Sequence, residues 1–414
     1  MNVALLGYGS VGSAVAEALI ENKEIIKARC GEEIKPIIAL ARSPKPNALI
    51  PVVSDVNEIL KREDIDVYVE LMGGVEFAYE LVYKLLKEGK KVVTANKAML
   101  AYYRYELESL VGKLAFEASV AGGIPIIKAL KEGLAANKII SIKGILNGTS
   151  NYILSAMSER GDDFEDTLKK AQKLGYAEAN PSFDISGEDA AHKLLILASL
   201  AYGIRAKPEE ILCEGISDIN ALDMYFAKEF DYTIKLLGIA KAQDFSVELR
   251  VHPTLIPKDT MIAKVNGVMN AVSIVGDLLG ESLYYGAGAG GKATASAVVA
   301  NLMEFARENY FEPMLGFKQN LPFTLLKKEE IFTKYYLRLK VEDKIGVLSK
   351  ITNLMSECGI SVDSFLQKPK INEPHSTLFF TTHKSYEKSI RKLLKALKEQ
   401  EFIKASPFMM RIEE

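Results

Sequence analysis

The sequence predicts an α/β protein: a doubly wound parallel sheet over about the first 125 residues, then an α+β unit, then a small βαββαβ module at the C-terminus. Three observations predict it. Apolar strand-like runs alternate with amphipathic helix-like runs from the first residue onward. Beyond residue 125 the rhythm gives way to longer β-rich stretches, and the last eighty or so residues repeat a strand, turn, helix, strand pattern. The chain has 414 residues, 48% of them hydrophobic, which is enough for two or three domains with cores of their own.

The first strand and helix lie at the N-terminus. MNVALLGYGSVGSAVAEALIENK opens with an apolar strand and turns through Gly7, Gly9 and Gly12 in GxGxxG spacing, with Tyr8, Ser10 and Val11 between them. It continues as a helix with alanines on its packing face. This strand, turn and helix context is what the dinucleotide fingerprint of a Rossmann-type domain requires. Without Cβ atoms at Gly7 and Gly9 the backbone can approach a pyrophosphate, whose charge meets the free amides of the helix N-terminus. The second strand, IKPIIALAR (34–42), ends in Arg42, followed by Ser43 and Lys45. Arg42 suits the 2′-phosphate of NADP(H), which is preferred over NAD(H); a surface arginine reads the same way, so NAD(H) stays open.

The next segments keep the α/β rhythm. IDVYVELMGG (65–74) is a buried strand ending in glycines, and FAYELVYKLLKEGK (77–90) is an amphipathic helix. KVVTANKAML (91–100) then places Asn96 and Lys97 directly after a strand, at the carboxyl edge where open α/β sheets bind ligands. LAFEASVAGGIPII (114–127) ends a further strand in small residues, where a nicotinamide ring can lie flat.

The densest chemistry lies in AQKLGYAEANPSFDISGEDAAHK (171–193), where Glu178, Asp184, Asp189 and Lys193 alternate with the turn formers Gly175, Pro181 and Gly187. LLILASLAYGI (194–204) follows as a buried helix, so the charges sit at the mouth of a core. Asp189 and Lys193 are spaced i, i+4 and share one helix face. A carboxylate beside an ammonium in a partly dry site keeps both charged, and such a pair can hold an amino acid and hand a proton to an oxygen on it. Taken alone, a plain helix ion pair has the same spacing.

Three further stretches complete the α+β unit. IISIKGILNGTSNYILSAM (139–157) reads as strand, Asn147-Gly148-Thr149 turn and helix, in which Thr149 or Ser150 also reads as a helix cap. Residues 247–275 read as strands joined by proline turns. YYGAGAGGKATASAVVANLMEFA (284–306) sets Gly286, Gly288, Gly290 and Gly291 before a small-residue helix, either a loop returning to cover the cofactor or a connector.

Composition excludes several classes. A net charge of -2 makes no case for nucleic acid. Cys30, Cys213 and Cys358 lack metal spacing and read as structural thiols of a reducing compartment, and the four histidines form no cluster. No apolar stretch reaches transmembrane length, and Met1 leads straight into a core strand with no room for a signal peptide. A cytoplasmic protein without membrane partners is expected.

The stretch 171–193 resembles the motif of the homoserine dehydrogenases, and GYGSVG, VVTANKA, FEASVAGGIPII, GILNGTSNYIL and GAGAGGKATASAV resemble that family's blocks, in order. The resemblance covers residues 1–310. Lys292-Ala293 departs from it, where family members often carry a proline before Thr294. It implies reversible reduction of L-aspartate 4-semialdehyde to L-homoserine by NAD(P)H, a step toward threonine, methionine and isoleucine. Carried onto this sequence, it makes Lys193 the main proton donor and puts Lys97 near the nicotinamide and the reacting oxygen. Glu178 and Asp189 then hold the substrate ammonium and order Lys193, supported by Asp184, with Thr149 and Tyr176 touching substrate. Gly175 and Gly290 lie against the cofactor. A monovalent cation, Na+ or K+, falls to backbone oxygens of Glu117, Val120, Gly122 and Ile124.

After a connector (316–331), YYLRLKVEDKIGVLSKITNLMSECGISVDSFLQK resembles an ACT domain through Asp343, Gly346, Val347 and Leu348 in its first turn and Gly359, Ile360 and Ser361 before its second strand. STLFFTTHK, YEKSIRKLLKALKEQ and FMMRIEE complete a ferredoxin-like βαββαβ over 332–414. The resemblance implies edge-to-edge pairing in a homodimer or homotetramer and an amino-acid effector, L-threonine, at Asp343, Ile345, Gly346, Val347 and Leu348; a purely structural dimerisation module is the alternative. Partition into 1–125 with a return helix over 286–312, then 126–285 for substrate and dimerisation, follows from the same blocks. Removal of 332–414 is expected to abolish feedback and spare the chemistry, unless the tail is needed for assembly. Two rivals are a dehydrogenase of another amino acid, against which 171–193 speaks, and a catalytically inert amino-acid sensor, against which Lys97 and Lys193 speak.

Overall fold

A computed structural model describes residues 1–310, 312–368 and 375–414. Asn2–Leu6 (β1), Lys35–Leu40 (β2), Val52–Val53 (β3), Val67–Glu70 (β4), Lys91–Thr94 (β5) and Lys113–Ala115 (β6) form a parallel sheet in the order β3-β2-β1-β4-β5-β6. These strands are short apolar runs because both faces are covered: every residue of β4 is buried, as are Val3 to Leu6 of β1. The covering helices are Ser10–Glu21 (α1), Lys23–Cys30 (α2), Val56–Leu60 (α3), Glu76–Lys87 (α4) and Lys97–Glu108 (α5). Strand order reverses between β1 and β4, which opens a crevice at their carboxyl ends.

The chain then turns through residues 117–124 into a short helix, Ile126–Lys128 (α6), and enters a second, mixed sheet. Its first strands are Ile139–Ile145 (β7), Leu212–Cys213 (β8), Tyr232–Gln243 (β9), Ser246–Pro257 (β10), Met269–Gly276 (β11) and Gly280–Ala287 (β12). Gly148–Arg160 (α7), Phe164–Lys173 (α8), Ser182–Ile185 (α9), Glu188–Tyr202 (α10) and Ala221–Glu229 (α11) accompany them. Of the two prolines between residues 247 and 275, Pro257 ends β10 and opens the expected turn, with Thr260 N donating to Pro257 O at 3.2 Å, whereas Pro253 makes none. Pro253 stands inside β10 opposite Leu236, between the short ladders that β10 makes with β8 at Arg250–Val251 and with the C-terminal strand at Thr254–Leu255. An N–H is not needed there, so proline is tolerated within the strand.

Gly291–Ala306 (α12) returns to the first sheet. Val298, Leu302 and Phe305 share a core with Val3, Leu5 and Val15. A Cβ at Gly291 would stand 2.8 Å from the Ser10 carbonyl oxygen, so only glycine lets α12 approach α1 this closely.

The C-terminal module consists of Phe332–Glu342 (β14), Val347–Glu357 (α13), Val362–Lys368 (β15), His375–Thr382 (β16), Ser385–Tyr386 (β17), Glu387–Lys398 (α14) and Phe408–Ile412 (β18), after a short connector strand, Thr324–Leu325 (β13), that pairs with β10. The order β18-β14-β16-β15, all antiparallel, is ferredoxin-like. The edge strand β18 also pairs in parallel with β10, so the two sheets are continuous. One edge of the module is therefore occupied by its own chain, and β15 is the edge left for any partner. Tyr336, Phe379 and Met410 enter the same core as Phe226 and Leu255 of the α+β unit. Among the described residues no helix is long and apolar enough to cross a membrane.

Candidate active site

The site forms where the carboxyl ends of β4 and β5 meet the N-termini of α5, α7 and α10. Lys97 opens α5 because Asn96 caps that helix: its side chain accepts from Met99 N at 3.0 Å and donates to Gly74 O at 2.7 Å. Thr94 Oγ1 accepts from Asn96 N at 2.9 Å and donates to Glu70 Oε2 at 2.6 Å. Glu70 is fully buried at the end of β4, and burial pushes its carboxyl up from the ordinary range. Glu70, Thr94 and Asn96 thus form a buried scaffold under Lys97. The scaffold escapes a reading of the sequence, where a lone glutamate at a strand end carries no signal.

Asp189 and Lys193 lie on the first turns of α10, entered through Gly187 in a left-handed conformation at φ +89°. Asp189 is 3% exposed and Lys193 8%. Lys193 Nζ donates to Asp189 Oδ2 at 2.7 Å and to Leu146 O at 2.6 Å, while Lys97 Nζ pairs with Asp189 Oδ1 at 2.8 Å. One carboxylate therefore holds two ammonium groups that come from elements 96 residues apart. Burial works against the charge on Asp189, but Lys193 and Lys97 overcome it and hold the carboxyl well below the usual range. Burial lowers the Lys193 ammonium from its ordinary 10.5, and Asp189 opposes that shift.

Asn147, not Thr149 or Ser150, caps α7, accepting from Ser150 N at 2.8 Å. Its amide donates at 2.8 Å both to Asp189 Oδ2 and to Asp184 Oδ1, fixing the two carboxylates together. Thr149 Oγ1 lies 2.7 Å from Tyr176 O and 3.2 Å from Asp184 Oδ2. Tyr176 is 43% exposed, with its ring 5.0 Å from that of Tyr152. Glu178 lies exposed on the turn after α8 with no side-chain partner among the described residues, so Lys193 is ordered by Asp189 and Leu146 and not by Glu178. Gly175, at φ +74°, is on the same turn. Phe183 stands 5.9 Å from Lys97 Nζ and gives that ammonium an aromatic neighbour.

The glycine turn fits a dinucleotide. Gly7 is at φ +129°, where a Cβ would meet Leu71 O at 2.6 Å, and a Cβ at Gly12 would meet Gly7 O at 2.0 Å. A Cβ at Gly9 would meet nothing within 4 Å among the described residues, and Gly9 stands as the N-cap of α1, with Ser10 and Val11 beginning the helix. A cavity of about 530 Å³ is lined by Gly7, Tyr8, Gly9, Arg42, Ser43 and Lys45. Gly290, at φ +110°, caps α12 on the side of α1.

The turn at 117–124 offers oxygen donors. Ala121 and Gly122 are both left-handed, at φ +54° and +53°, and the carbonyls of Val120 and Gly122 accept no hydrogen bond among the described residues. The Ile124 carbonyl accepts from Ile126 N at 2.8 Å, leaving one lone pair. Asn270, buried against Gly288 beside this turn, has no partner for either amide atom among the described residues. Hard oxygen donors of this kind suit an alkali cation. Among the described residues no His, Cys, Asp and Glu side chains group to hold a transition metal. In the C-terminal module Gly346 caps α13 at φ +87°, Val347 is buried, and Asp343, Ile345 and Leu348 are exposed around it.

The chain matches family models described as "Homoserine dehydrogenase, NAD binding domain" over residues 7–116, "Homoserine dehydrogenase" over 125–303 and "ACT domain" over 335–402. A homoserine dehydrogenase of Helicobacter pylori is 54% identical, the alignment covering 100% of this chain and 99% of that protein. A solved homoserine dehydrogenase from Thiobacillus denitrificans has 42% identity and a TM-score of 0.94, covering 100% of this chain and 98% of its own. A hyperthermophilic archaeal homoserine dehydrogenase solved in complex with NADPH has 29% identity and a TM-score of 0.62 over 73% of this chain and 96% of its own. Two ammonium groups on one buried carboxylate beside a dinucleotide cradle, with these matches along the whole length, place the chain in the homoserine dehydrogenase family of oxidoreductases, with a C-terminal ACT domain.

Proposed function

We propose that the chain interconverts L-homoserine and L-aspartate 4-semialdehyde, with NADP(H) preferred and NAD(H) accepted, and that Lys193 is the proton donor in the reducing direction. The observation that carries this reading is the Asp189 carboxylate bridging Lys193 and Lys97 at 2.7 and 2.8 Å. A nicotinamide, when bound, supplies or accepts the hydride at the substrate's C4. Negative charge then develops on the C4 oxygen, and the paired ammonium groups are preorganised to meet it. Lys193, lowered by burial, gives up its proton more readily than an exposed lysine and serves as base in the oxidising direction. Lys97, a third exposed, presents its charge at the mouth of the site. Asp184, Thr149, Tyr176 and Glu178 surround the place for the amino-acid end of the substrate.

Gly7 to Gly12 take the pyrophosphate and Gly175 and Gly290 close on the cofactor, while Arg42 and Lys45 favour a 2′-phosphate. Backbone oxygens of Glu117, Val120, Gly122 and Ile124 hold Na+ or K+. L-Threonine is the proposed effector at Asp343 to Leu348, in a cytoplasmic homodimer or homotetramer that serves threonine, methionine and isoleucine synthesis.

The test is homoserine oxidation followed by nicotinamide absorbance with NADP and NAD in parallel, with and without threonine. Lys193→Ala is expected to lose ~10²- to 10⁴-fold in turnover while still binding cofactor. Wild-type turnover in that variant, or no oxidation of homoserine by the parent, refutes the reading.

A further inference from the structure

Two arginines of the ACT domain grip a carboxylate, Glu214, that stands beside the corner between α9 and α10. Glu214 follows β8 and leaves the second sheet with its N–H on Val251 O at 2.8 Å. Its side chain is held by two arginines of the C-terminal module: Arg411 of β18 at 2.7 and 3.2 Å, and Arg391 of α14. Arg411 is itself fully buried and pairs with Glu387 at 3.0 and 2.5 Å, so Glu214 is docked on a rigid ion network rather than on a loose surface pair.

The main chain beside Glu214 lies directly on the corner between α9 and α10. Ile216 N donates to Ile185 O at 2.9 Å, and Cys213 Sγ lies 3.5 Å from Ser186 O. A Cβ at Gly215 would stand 2.4 Å from Ile185 O, and one at Gly187 would stand 3.3 Å from Glu214 O. The two segments therefore touch backbone to backbone. That corner carries Asp184 on one side and Asp189 and Lys193 on the other.

We infer that Glu214 is a positioning residue for the Asp189–Lys193 pair, transmitting the seating of the C-terminal module to the α9–α10 corner. The inference rests on the reading of Lys193 as the proton donor. Packed networks of this sort carry effects between sites without touching either ligand.

The experiment uses the full chain and pairs Glu214→Gln with the half-exposed Arg391→Met and Arg391→Lys. Amide hydrogen exchange over residues 182–193 is measured beside kcat and the KM values for homoserine and cofactor. Both Glu214→Gln and Arg391→Met are expected to speed exchange over 182–193 and to lower kcat roughly 2- to 30-fold. Cofactor KM should be unchanged, and Arg391→Lys should recover part of the loss. If Glu214→Gln does not fold, Arg391→Met decides alone. Unaltered exchange, or faster exchange with unaltered kcat, overturns the inference. Faster exchange in Arg391→Met together with full turnover in Lys193→Ala would sink the proton-donor assignment while leaving the clamp standing.

Discussion

In its proposed role Lys193 meets two opposed demands: the ammonium must be dry enough to give up its proton and yet remain charged until the aldehyde is reduced. Burial lowers its pKa, and Asp189 pushes back. Removing the larger opposing charge with Asp189→Asn leaves burial and the Lys97 charge opposed only by Asp184, so Lys193 would lose its proton at lower pH than in the parent. The alkaline fall of aldehyde reduction, which the parent should show below the ordinary lysine value of 10.5, is then expected to move to lower pH. Turnover should also drop by about 10²-fold, since Lys97 and Lys193 lose the group that aligns them. A pH profile of kcat/KM for reduction checks this, and an unmoved limb in Asp189→Asn would contradict it. Arg42 makes a second residue-scale prediction. Arg42→Ala should weaken NADP relative to NAD by roughly tenfold or more, as expected for a lost charge-assisted contact; an equal loss for both cofactors would assign Arg42 to the surface.

At the scale of the element, β1, the glycine turn and α1 separate packing from binding. Gly12 is needed by the fold, because a Cβ would run into Gly7 O at 2.0 Å; Gly12→Ala should cost about 1–3 kcal/mol in stability as well as cofactor affinity. Gly9 has open space and an ordinary φ of −91°, so Gly9→Ala should fold like the parent. The added methyl would nonetheless stand where the pyrophosphate approaches the helix N-terminus. Thermal unfolding and cofactor titration of the two variants, side by side, should give one loss of stability and two losses of affinity. A Gly9→Ala chain that binds cofactor like the parent would contradict a pyrophosphate at this turn.

On the scale of the whole molecule, the C-terminal strand is a structural member of the catalytic sheet. Glu413 is 4% exposed; burial opposes its charge, but Arg250, Lys143 and Lys241 override it and hold the carboxyl down to about 2. A depressed carboxylate stabilises the fold above its unfolded value, near 4.5, and loses that contribution as pH falls toward 2. The melting temperature should therefore fall across that window, and Glu413→Gln should flatten the fall while costing about 3 kcal/mol at neutral pH. Removal of residues 332–414 is expected, against the sequence reading, to destroy the enzyme rather than merely deregulate it. It would strip β10 of its parallel partner β18, leave the buried Asp223 without Tyr336 and Arg338, and open a shared core. Soluble yield and activity of the shortened chain test this; a stable, active product would show that the sheet tolerates the cut.

What the sequence determined by itself is local. The GxGxxG turn after VALL, the i, i+4 pairing of Asp189 with Lys193 and the βαββαβ order of the last module follow from spacings of a few residues, because helix and strand periods fix which side chains share a face. The tertiary structure decided what depends on distant segments meeting. Lys97 reaches Asp189 across two elements, Asn147 joins Asp184 to Asp189, and Glu70 and Thr94 support Asn96 from neighbouring strands. Glu178 stays exposed and makes no bond to Lys193, and the ACT domain spends one sheet edge on β10. These are outcomes of packing, and no local period encodes them.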